Sequence, residues 1–123
     1  MQYTNTENAP AAIGPYSQAI AHNGFLFASG QIALVPGSGE VAGETIAEQA
    51  ERCCLNVKAI LEANGLGFEN VIKTTCFLAD MADFAAFNEV YGKYFTSRPA
   101  RSCVAVKAIP KGLLCEIEII AAM

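Results

Sequence analysis

The sequence predicts a single α+β domain over residues 1–123, a mixed sheet in the order ββαβαββ with two helices packed on one face. Three observations carry that expectation. Stretches of alternating apolar residues stand at both ends of the chain, two stretches between them repeat apolar residues every three or four positions, and a β-branched run separates those two.

The first alternation runs from Ser17 to Gln31 and breaks at "HNGF", where Asn23-Gly24 supplies the positive φ angles of a tight hairpin. "VPGSGEVAG" (35–43) is rich in Gly and Pro and aperiodic, so it reads as a loop. "TIAEQAERCCLNVKAILEANG" is the strongest helix: Thr45 and Glu48 form a capping box, and Gly65 stands past Asn64 where the helix stops. Its expected buried stripe is Ala47, Ala50, Cys54, Val57, Ile60 and Leu61. "VIKTTCFL" (71–78) reads as a strand with protein on both faces, since it lacks strict alternation. Asp80 or Asp83 caps a second helix reaching about Phe95, with more aromatic residues than one stripe needs. Strands from Arg101 to Lys107 and from Leu114 to Ala121, joined around "IPKG", close the chain.

Composition excludes several classes of function. Hydrophobic residues make up 53% of the chain and charged residues only 16%, so a lone small domain would expose apolar surface, and a homo-oligomer is expected. The net charge of -4, with scattered basic residues, argues against a nucleic-acid partner. No run approaches the roughly 18 apolar residues of a membrane span, and "MQYTNTENAP" lacks the marks of a secretory leader, which leads to the expectation of a cytoplasmic protein with no membrane partner. The five cysteines include no C-x-x-C pair, and reduced thiols are expected.

Chemistry is sought next in the last two strands. Alternation sorts Val104, Val106, Ile117 and Ile119 onto a face expected to meet the helices, and Arg101, Cys103, Ala105, Glu116 and Glu118 onto the other. A semi-buried Arg101 there has two outlets, an ion pair with Glu116 or Glu118, or an anionic ligand. A guanidinium fork grips carboxylates bidentately, and a partly desolvated glutamate suits general acid-base work.

Other constellations fail. His22, the sole histidine, falls in the expected hairpin turn, so no Ser-His-Asp triad is expected. "PGSGE" lacks the ending of a phosphate loop, Cys103 has no evident base and reads as an inert thiol, and Asp80 and Asp83 have no ligand set around them, so no metal is expected.

"ENAPAAIGPYSQAI", "FASGQIAL", "NVKAILEANG", "VIKTTCFLADMADFAAFNEVY", "RPARSCVAV" and "EIEI" together resemble the reactive intermediate imine deaminase A (RidA or YjgF) family across essentially the whole chain. The resemblance implies a chorismate-mutase-like fold, a homotrimer with clefts between subunits, and hydrolysis of 2-imino and enamine acids to 2-oxo acids and ammonia without a cofactor. It also implies roles: Arg101 clamps the substrate carboxylate with help from a backbone amide near Cys103, and Glu116 positions and activates water. Tyr16 and Ser29 line the cleft, Gly30 offers backbone, and Asn88 holds the neighbouring loop. One departure is "FTSRPAR", short and with Arg98 where relatives often carry an aromatic residue; Arg98 is expected to face solvent. A non-catalytic ligand-binding or holdase-like trimer is the alternative, and an RNA-cleaving role fits the acidic balance least.

Overall fold

The computed structural model describes all 123 residues. Its strands are β1 (Gln2–Thr4), β2 (Ala19–His22), β3 (Phe25–Gln31), β4 (Val71–Leu78), β5 (Ala100–Ala105) and β6 (Cys115–Ala122), and its helices are α1 (Ile46–Ala63) and α2 (Phe84–Tyr94). They form one sheet in the order β1-β2-β3-β6-β4-β5. All pairs are antiparallel except β4 with β5, which α2 connects as a crossover. The short β1, pairing with β2 through Gln2↔Ala21, adds a strand that no sequence periodicity announced.

The local signals act where they stand. Asn23 at φ 50 and Gly24 at φ 81 turn β2 into β3. The Thr45 side chain accepts from the Glu48 N–H and Glu48 reaches back to the Thr45 N–H, which closes the capping box of α1. Asp80, not Asp83, provides the second cap: its carboxylate accepts from the Ala82 N–H at 2.9 Å and starts a 3₁₀ turn that leads into α2.

Both helices lie on one face, where Leu26, Ile60, Leu61, Phe87, Ile117 and Ile119 make the core. The buried stripe of α1 differs from the periodic expectation in two ways. Ala47 is exposed, although Ile46 before it packs against the core, and Gln49, Cys53 and Asn56 are buried. The two amides serve the backbone beyond the helix. Asn56 donates to the Ile32 and Leu34 carbonyls at 3.0 and 2.9 Å, and Gln49 accepts from the Leu114 N–H at 2.8 Å.

The opposite face of the sheet is open in the protomer except at one end, where Leu34, Ile109 and Leu113 form a small cluster over Phe77. Phe27 and Val104, 47% and 46% exposed, stand on it. Strand β4 buries Val71, Thr74, Cys76 and Leu78 on the helix face, and on its other face Phe77 packs against the small cluster of Leu34, Ile109 and Leu113, so protein meets both faces at that end of the strand, as expected.

The expected sorting of β5 is overturned. Across β4, Cys103 lies level with Cys76 and Ile117, and Arg101 with Thr74 and Ile119, so Arg101 and Cys103 share the helix face. Val104 lies level with Phe77 and Glu116 on the open face. Alternation within a strand sets which residues go together; inter-strand register sets which set goes inward. An internal ion pair between Arg101 and Glu116 or Glu118 is thereby ruled out within one protomer, and the only ion pair in the chain is Lys58–Glu62 at 3.8 Å.

Candidate active site

The predicted residues fall into two groups on opposite faces of the sheet. Tyr16, Ser29, Gly30 and Glu116 line one cleft of about 380 Å³, walled by the N-terminal segment through Pro10, Ala11 and Ile13. Arg101 and Asn88 line another, together with Arg98. Cys103 borders neither.

The first cleft exists because β3 slips its register against β6 between Ala28 and Gln31. That irregularity lifts Ser29 and Gly30 out of the regular ladder. The Ser29 N–H donates to the Gln18 carbonyl at 2.9 Å, and its hydroxyl donates to the Ser17 carbonyl at 2.6 Å. With its proton committed, the Ser29 oxygen is left to accept a hydrogen bond from whatever enters. At Gly30 a Cβ would stand 2.7 Å from the Glu116 carboxyl carbon, so only glycine leaves the carboxylate its place.

Glu116 is half-buried, and its pKa is raised above the ordinary value first by that burial and then by the Glu118 carboxylate. A carboxylate that burial makes reluctant to stay charged is a better base near neutral pH.

Sequence reasoning assigned Gln18 no role, although it stands inside "GPYSQA". Its side chain is 3% exposed and holds the N-terminal segment at four points. Its oxygen accepts from the Thr6 N–H at 2.8 Å, and its nitrogen lies 3.0, 3.4 and 2.9 Å from the Thr6, Ala9 and Pro10 carbonyls. The one available signal was a glutamine directly ahead of the inward-facing Ala19 in an otherwise apolar strand.

In the second group, Arg101 on the edge strand β5 is fixed by α2. Its Nη1 donates to Asn88 Oδ1 at 2.8 Å, and its guanidinium lies 4.7 Å from the Tyr91 ring centre and 5.5 Å from that of Phe84. Tyr91 is itself held by a 2.7 Å hydrogen bond between its hydroxyl and that of Thr74, and burial pushes its pKa to about 12. Asn88 is thus a side-chain anchor for Arg101. Burial also raises the Cys103 thiol, against a smaller opposing effect of Arg101, which fits an inert thiol. His22 ends β2 on the surface, away from both clefts.

Residues 6–123 match the family described as Endoribonuclease L-PSP. The chain belongs to that family. Within it, a RutC family protein of Synechocystis is 52% identical, over 100% of this chain and 97% of the relative. The 2-iminobutanoate/2-iminopropanoate deaminase of Mus musculus is 48% identical over 95% of this chain and 87% of its own, and the chloroplastic Reactive Intermediate Deaminase A of Arabidopsis thaliana is 46% identical over 99% and 66%. The crystal structure of E. coli TdcF with bound serine superposes with a TM-score of 0.95 at 42% identity, covering 100% of this chain and 99% of that one. The L-PSP and reactive intermediate deaminase names therefore converge on one family and one fold, the one the motifs resembled.

Proposed function

We propose that this L-PSP family chain hydrolyses small 2-imino acids to 2-oxo acids and ammonia, in a cleft completed between two copies of the chain in a homotrimer. The observation that carries the reading is the separation of Arg101 and Glu116 onto opposite faces of one sheet, each beside an incomplete cleft. Neither cleft alone has both an arginine fork and a glutamate. The apolar open face around Phe27 and Val104 provides a surface on which a second copy can seat, and closure of such contacts into a ring gives a cyclic oligomer.

In the completed site the Arg101 guanidinium holds the substrate carboxylate; one of its five N–H donors is used by Asn88 and four remain. Glu116 takes a proton from water as the water oxygen adds to the C=N carbon and the π pair moves to nitrogen, and it then gives that proton to the nitrogen, which leaves a neutral carbinolamine and a free carboxylate. The carbinolamine then collapses: the hydroxyl proton passes to Glu116 and on to nitrogen, the C–N bond breaks, and ammonia leaves as the C=O bond forms. Ser29, whose hydroxyl proton is committed to the Ser17 carbonyl, accepts from the substrate N–H, and Tyr16 walls the cleft. Orientation plus one proton relay suffice for a reaction of this kind, which asks for no cofactor. Relatives named as imine deaminases, and a neighbour that holds an amino acid, support the substrate class.

The test couples a serine or threonine dehydratase to the protein and follows imine decay. Arg101→Ala and Glu116→Gln are each expected to abolish the acceleration. Mixed trimers of the two variants at equal amounts are expected to recover about one quarter of wild-type activity, because a site drawing its arginine and glutamate from different chains is intact that often. No recovery would place both residues in one chain's site and end this reading. An RNA-cleaving role is the weaker reading, since Glu116 and the nearby Glu118 would repel a phosphate backbone and His22 lines neither cleft.

A further inference from the structure

The second cleft, about 630 Å³ in the protomer, is lined by two arginines, Arg98 and Arg101, and by no carboxylate. This is unexpected on charge alone. The chain has 12 acidic and 8 basic residues, yet neither guanidinium has an acidic partner, the only ion pair being Lys58–Glu62.

Arg98 is not placed there by slack chain. It takes a left-handed φ of 52, a conformation uncommon for a residue with a side chain. Its N–H donates to the Phe95 carbonyl at 3.1 Å, the preceding Ser97 hydroxyl donates to the Val71 carbonyl at 2.8 Å, and Pro99 follows. The side chain is exposed, as the sequence suggested, but it is exposed along the same cleft as Arg101. Two guanidiniums lining one cleft offer two forks, and one monocarboxylate occupies only one of them.

We propose that Arg98 and Arg101 together form a site for a dianion, so that 2-imino acids carrying a second carboxylate, four or five carbons long, are substrates. This rests on the deaminase reading for the role of Arg101 and adds the chemical class of the side chain. The α-carboxylate stays on Arg101, beside Asn88, and the distal carboxylate reaches Arg98. Such imines are the direct products of oxidases acting on acidic 2-amino acids, which is the class of reaction that would supply them.

Imines made in situ by amino-acid oxidases from aspartate, glutamate and alanine give the comparison, with Arg98→Gln as the variant and Lys111→Gln, a cation of the other cleft, as control. Arg98→Gln is expected to lower kcat/KM for both dicarboxylic imines about tenfold or more while the alanine-derived imine stays within about twofold. Arg98→Lys should recover part of the loss, since a point charge replaces a fork. Equal effects on both substrate types, no effect on either, or a selective loss in Lys111→Gln instead would overturn the proposal. A calorimetric titration with succinate and propanoate separates its failure from that of the deaminase reading. If no imine is turned over, the reading of the reaction fails; the dianion site then stands only if succinate binds more tightly than propanoate and loses that advantage in Arg98→Gln.

Discussion

Glu116 holds its charge against its surroundings, and two measurable consequences follow in opposite directions. Its raised pKa means that the group contributes fully to stability when protonated, below the ordinary glutamate pKa of 4.5, and that this contribution is lost as pH rises through the raised value. Glu116→Gln is therefore expected to raise the thermal midpoint at pH 7, with the advantage shrinking towards pH 4, as calorimetry across that range would show. For activity the sign reverses: turnover should fall as pH drops through the same raised pKa, with an acid limb above the range of a free glutamate. Gly30 makes the complementary case. A methyl group at that position would meet the end of a flexible carboxylate, so Gly30→Ala should keep the fold and its melting temperature but displace the base. A loss on the order of a hundredfold in kcat is expected from such a misplacement.

At the scale of elements, irregularities do most of the work of building the clefts. The slip in β3 makes room for Ser29 and Gly30, and the N-terminal segment becomes a wall only because Gln18 ties it down. Removing that side chain in Gln18→Ala strands the buried Ala9 carbonyl and the part-buried carbonyls of Thr6 and Pro10, at about 1–3 kcal/mol of stability. Hydrogen exchange should quicken over residues 6–10, and KM should rise more than kcat falls, because Gln18 shapes the wall and does not touch the reacting atoms. A uniform loss of kcat with unchanged exchange would contradict that role. Helix α2 plays the matching part on the other face, presenting Asn88, Tyr91 and Phe84 to Arg101.

For the whole molecule, the decisive feature is a sheet with one finished face and one that is open except at its Leu34, Ile109 and Leu113 end. The open face carries Phe27 and Val104 beside Glu116 and Glu118, an apolar surface bordered by charge. Placing a charge in its middle, as in Val104→Asp, is expected to yield a folded protomer of native circular dichroism that no longer assembles, read by light scattering. Such a protomer should lack activity although every proposed catalytic side chain is still present. A fully active monomer would refute the shared site.

The sequence alone determined whatever depends on neighbours along the chain. The α1 capping box at Thr45 and Glu48, the Asn23-Gly24 turn and the Asp80 cap each act through backbone groups within four residues, so composition and spacing specify them. It also singled out Arg101, Glu116, Ser29, Gly30, Tyr16 and Asn88 through the family's motifs. Only the tertiary structure decided which face each one occupies. Alternation in β5 is equally compatible with Arg101 or Val104 pointing at the helices, and hydrophobicity favoured the valine. The parallel register with β4 and the stacking offered by Tyr91 and Phe84 settled it the other way. Likewise β1 and the Gln18 clasp depend on partners 8 or more residues away, where no local pattern can report them.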